Sequence, residues 1–95
     1  MAKEYTMTEP LSRLIVERVD TLGSRSQWIF VTGVLSGEPI NIGDTLAVQH
    51  PGGPTTATIR TIEIHTAPGK TTIALDSELK PIVVPGTIIE RVGTP

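Results

Sequence analysis

Branched side chains dominate this chain and limit what it can become. Ile, Val and Thr supply 33 of its 95 residues. Two heavy substituents on Cβ lose rotamer freedom in a helix but fit the pleated surface of a sheet. Nine Gly and eight Pro cut this material into short pieces. Short strands separated by turns predict an all-β domain, either a small barrel or a sandwich. A chain of this length makes one domain. It buries roughly 60–65% of its extended surface, enough for a thin core.

Charge and cysteine usage narrow the function classes. The chain has no Cys, which removes disulfides, iron–sulfur ligation and thiolate zinc. Eight Lys and Arg against ten Asp and Glu leave a formal net charge of −2. That balance argues against a general nucleic-acid or membrane-surface binder. No apolar run approaches the ~20 residues of a membrane span, and no signal peptide is visible. The expected address is the cytoplasm, with no membrane partner.

Punctuation divides the chain further. Residues 1–10 read as a flexible N-terminal arm, polar and aperiodic, and residues 11–93 as a single β-barrel domain. Residues 11–22 fit two patterns. Leu11, Leu14, Ile15, Val19 and Leu22 recur at helical spacing, with Gly23 placed to end a helix. The run Leu14-Ile15-Val16 followed by Glu17, Arg18 and Val19 also reads as a strand. Residues 28–35 are apolar on both alternating faces, which predicts a central strand covered on both sides. Gly33 inside it signals a bend or a close backbone approach. Ile40 and Ile42 are expected to pack inward from the loop that follows. Leu46 and Val48 mark the inward face of the next strand. Over residues 55–65 the inward set is Ala57, Ile59, Ile62 and Ile64. It slips phase near Arg60-Thr61, as a β-bulge would require. Residues 76–81 read as a polar connection, 82–84 as a brief strand or bridge and 87–92 as the last strand.

Chemistry-bearing patterns are sparse. There is no GxxxxGK[ST] phosphate loop. His50 and His65 fall on different strands without metal-ligand spacing, and a metal needs three or four convergent ligands. Glu17 and Glu63 are a carboxylate pair that could meet across strands, yet so small a domain has little room for a cleft. One Trp and one Phe make no stacking platform for single-stranded nucleic acid. Trp28 and Phe30 share a strand face, either as core packing or as an exposed binding patch. No nucleophile, base and pocket assemble, so the chain is expected not to be an enzyme and to need no cofactor.

One stretch carries more information. Val31, Thr32, Gly33, Val34, Gly37, Ile40, Gly43, Asp44 and Leu46 resemble the glycine-spaced pattern in the second domain of translational GTPases, the family of elongation factor Tu. One extra residue lies between Gly37 and Ile40. Ala57–Ile64 and Val84-Pro85-Gly86-Thr87-Ile88-Ile89 resemble later segments of that domain in the same order. The likeness covers roughly residues 13–92. It implies a small six-stranded antiparallel Greek-key barrel of the translation-factor domain 2 type, and it favours strand over helix for residues 11–22.

The resemblance also implies a barrel standing alone. The GTPase domain of that family has no counterpart here, so no GTP and no catalytic residue carries over. Glu17 and Glu63 stand where elongation factor Tu has acidic residues near the aminoacyl end of tRNA. Arg25 lies in the loop where that factor has a tRNA-contacting arginine, although the loop here is longer. Asp76 and Glu78 replace a basic tendency, which counts against phosphate contact. The candidate binding residues are therefore Glu17, Arg25, Trp28, Arg60 and Glu63, with Lys70 contributing if it converges with Arg25 and Arg60. The expected function is a non-catalytic binding or assembly module that contacts RNA or a ribonucleoprotein. The alternative is a protein-interaction or homo-oligomerising barrel with no nucleic-acid role. A protein partner or a second copy is favoured over RNA.

Overall fold

The computed structural model describes residues 10–21, 27–63 and 68–92. Seven strands follow in order: β1 Pro10–Thr21, β2 Trp28–Gly37, β3 Thr45–Gln49, β4 Thr55–Thr58, β5 Thr61–Glu63, β6 Thr71–Asp76 and β7 Ile88–Val92. They form one sheet in the order β4-β3-β7-β1-β2-β6-β5, and every ladder is antiparallel. The sheet curls into a half-barrel. Its concave side holds Leu14, Val16, Ile29, Val31, Leu46, Val48, Ile73, Leu75 and Ile89, each nearly or fully buried.

Residues 10–21 are strand throughout, so the helical spacing there is coincidental. Alternation wins because Leu14 and Val16 fill the core while Arg13, Ile15 and Glu17 face out. Pro10, assigned to the arm from sequence, already pairs with Val92. A bulge falls between Val16 and Arg18, opposite Gly33 and Thr32. The turn Val84-Pro85-Gly86-Thr87 docks on this bulge. Gly86 donates to the Val16 carbonyl at 2.7 Å, and Val16 donates to that of Thr87 at 2.9 Å. Gly86 has φ +94°, as the third residue of a type II turn requires.

Six strands were expected, and seven form because the 55–63 segment breaks. The break explains the phase slip near Arg60. Ile59 donates to the Asp44 carbonyl, beside β3, and Arg60 donates to that of Ala74 in β6. One chain segment thus changes neighbours across a corner, and the two edges of the half-barrel are consecutive in sequence.

Three local expectations need correction. β2 is central, between β1 and β6, but only its Ile29–Val31–Gly33 face is buried. The strand covered on both faces is β6, where Thr72 to Leu75 are all buried. Ala74 is short, and the register sets it between Phe30 and Thr61, whose larger side chains screen it. Ile40 is buried as expected, but Ile42 is 63% exposed at the tip of the Asn41–Asp44 turn, whose ends are tied to each other. Residues 82–84 are not strand. They follow a 3-10 turn, Ser77–Leu79, and contribute Val83 to the core while Leu79 is buried from the polar connection.

Candidate functional site

The convex face of the sheet carries Glu17, Trp28 and Glu63, whose positions the strand ladders set. Outward positions on β2 are Trp28, Phe30, Thr32 and Val34. Across the ladders, Trp28 lies opposite Asp76, and Thr32 lies opposite both Thr72 and Arg18. Trp28 and Phe30 meet edge to face, with ring centroids 6.4 Å apart. Trp28 is 37% exposed, so it does not belong to the core. The Thr32 and Thr72 hydroxyls share a hydrogen bond of 2.7 Å.

The charged candidates do not converge. Arg60 is gripped in a fork by Asp76, at 2.8 and 2.9 Å. The hydrogen bond from Arg60 holds the Asp76 carboxyl below the ordinary carboxylate range, and Asp76 in turn raises Arg60. Glu17, the extra residue of the β1 bulge, receives Lys70 Nζ at 2.6 and 2.7 Å. Arg60 and Lys70 therefore work at opposite ends of β6, about 17 Å apart for a strand of that length. Glu63 is exposed on β5, opposite Thr72. Two strands separate it from β1, about 14 Å across the ladders, so Glu17 and Glu63 form no carboxylate pair. Arg25 lies outside the described residues, as does His65.

Every described arginine is engaged by a carboxylate. Arg13 meets Glu90 at 3.0 Å, Arg18 meets Asp20 at 2.7 Å and Arg91 meets Glu38 at 3.3 Å. Arg91 Nε lies 3.8 Å from Asp44 and makes no hydrogen bond. Such neutralised pairs present little net field to a phosphate chain. A cleft of about 400 Å³ opens beside Pro10, Ser12 and Gly37, but Ser12 Oγ is committed to the Glu38 carbonyl at 2.6 Å. Among the described residues no three His, Cys, Asp or Glu side chains gather to hold a metal ion. No helix of the described residues is long and apolar enough to cross a membrane.

Sequence reasoning missed an apolar row. Val34 lies opposite Ile15, Ile15 opposite Ile88, and Ile88 opposite Gln49. Ile15 is 46% and Val34 41% exposed. The signal was present, because Arg13, Ile15 and Glu17 sit two residues apart and share one strand face. Reading Leu14-Ile15-Val16 as one apolar run obscured it.

No family model, curated protein or solved structure matches the chain.

Proposed function

We propose that this chain is a non-catalytic binding or assembly module, of the barrel type its glycine pattern resembles, and that it contacts protein rather than RNA. The observation that carries this reading is the outward row Val34–Ile15–Ile88, crossing three adjacent strands. Contiguous apolar surface on a soluble domain marks a contact site. The ion pairs of Arg13 and Lys70 flank the row and keep it from joining a basic field. RNA contact would need several lysines or arginines free to meet phosphates together, and among the described residues every arginine, as well as Lys70, is held by a carboxylate.

Photo-crosslinking tests the reading. A photo-reactive side chain in place of Gln49, at the end of the row, should yield nuclease-resistant adducts with protein in cells. Labelled tRNA should show no salt-dependent binding at low ionic strength. Nuclease-sensitive adducts, or tRNA binding that weakens steeply with salt, would overturn it.

A further inference from the structure

We propose that the partner of the convex face is a second copy of this chain, stacked sheet on sheet about a twofold axis along the Val34–Ile15–Ile88 row. The proposal rests on the protein-contact reading above and commits it to one occupant. Its basis is the order of charges on β1. Arg13 lies two residues before Ile15 and Glu17 two residues after it, all three exposed. A twofold rotation about an axis across the strands at Ile15 exchanges those two positions. Ile15 then meets Ile15 of the other copy, Arg13 meets Glu17, and Glu17 meets Arg13. Val34 and Ile88 lie on the same axis by register and meet their own copies. Gln49 continues the row, and an amide can donate to and accept from its own image.

This arrangement is self-complementary in both terms an isologous contact requires. Apolar side chains lie on the axis, and opposite charges exchange across it. Glu90 already holds Arg13 at 3.0 Å and Lys70 already holds Glu17 at 2.6 Å. Both charges are thus braced toward the flanks of the row, and each docked pair would extend into a four-membered network. Two sheets packed face to face bury the side chains between them, and the Ile and Val row supplies apolar ones on the axis. A partner of different sequence would not require this symmetry of charge about an apolar centre.

Charge exchange provides the test. In sedimentation equilibrium the wild-type chain should form a dimer. Arg13→Glu alone and Glu17→Arg alone should each weaken self-association at least about tenfold, because like charges then face each other. Mixing the two variants should restore association, since each copy supplies what the other lost. Circular dichroism checks that both variants fold. If either does not, Ile15→Gln, which keeps both ion pairs, should abolish the dimer. A wild type that stays monomeric at every concentration, or a dimer indifferent to these substitutions, overturns the proposal. Crosslinking from position 49 separates this failure from that of the protein-contact reading. An adduct of twice the chain mass supports the second copy. An adduct with a different protein removes the second copy and leaves the protein-contact reading standing. Only RNA adducts remove both.

Discussion

A missing methyl group at Gly33 lets β2 lie against the bulge of β1. A Cβ built there would sit 2.0 Å from the Ile15 carbonyl oxygen and 3.1 Å from the Val16 Cα. Both contacts are backbone, so no side-chain rotation relieves them. Gly33→Val should cost more than about 2 kcal/mol through overpacking and forced backbone movement. Gln49→Ala removes an exposed side chain whose hydrogen bond to Glu90 is long, at 3.4 Å, and should stay within about 0.5 kcal/mol. Equal melting temperatures for the two variants would contradict this account. The need for Gly33 was legible from its place inside an apolar run. The identity of its neighbour was not, because the bulge arises on another strand.

At the scale of elements, the Arg60–Asp76 fork ties the corner before β5 to the end of β6. The Asp76 carboxyl is held below its ordinary value, so the unfolded chain binds its proton more readily. The stabilisation is therefore complete above the unfolded pKa of about 3.9 and is lost as pH falls through the lower folded value. Asp76→Asn should flatten this part of the acid limb in denaturant titrations below about pH 4. An unchanged acid limb would show that the fork does not act on stability. The partnership itself was not visible in the sequence, where Arg60 read as a candidate binding residue and Asp76 as a departure from a family pattern. Sixteen positions separate them, and only the antiparallel pairing of β5 with β6 brings them together. Glu17 and Lys70, far apart in sequence, were hidden in the same way.

At the scale of the whole molecule, curvature depends on the corner at residues 59–60. Ile59 is buried to 1% exposure, and its backbone is bonded beside β3 while that of Arg60 is bonded to β6. Ile59→Ala should cost about 2–5 kcal/mol, because the cavity opens where both edges of the half-barrel depend on one segment. Ile62, half-buried on β5, should cost less when truncated in the same way. Chemical denaturation of both variants checks the order, and a larger loss at Ile62 would refute it. The same curvature leaves β1, β2 and β7 with a convex face, which becomes a contact surface only because side chains from separate strands line up on it.

The sequence by itself determined the all-β class and the branched core. These follow from local chemistry: the steric preference of Cβ-branched residues, the two-residue alternation of a strand and the backbone freedom of glycine. Only the tertiary structure decided which charges cancel, where the 55–63 segment breaks and which outward apolar residues line up in one row. Those outcomes depend on the register between strands distant in sequence, and the alternation along any one strand does not specify which neighbour it will meet.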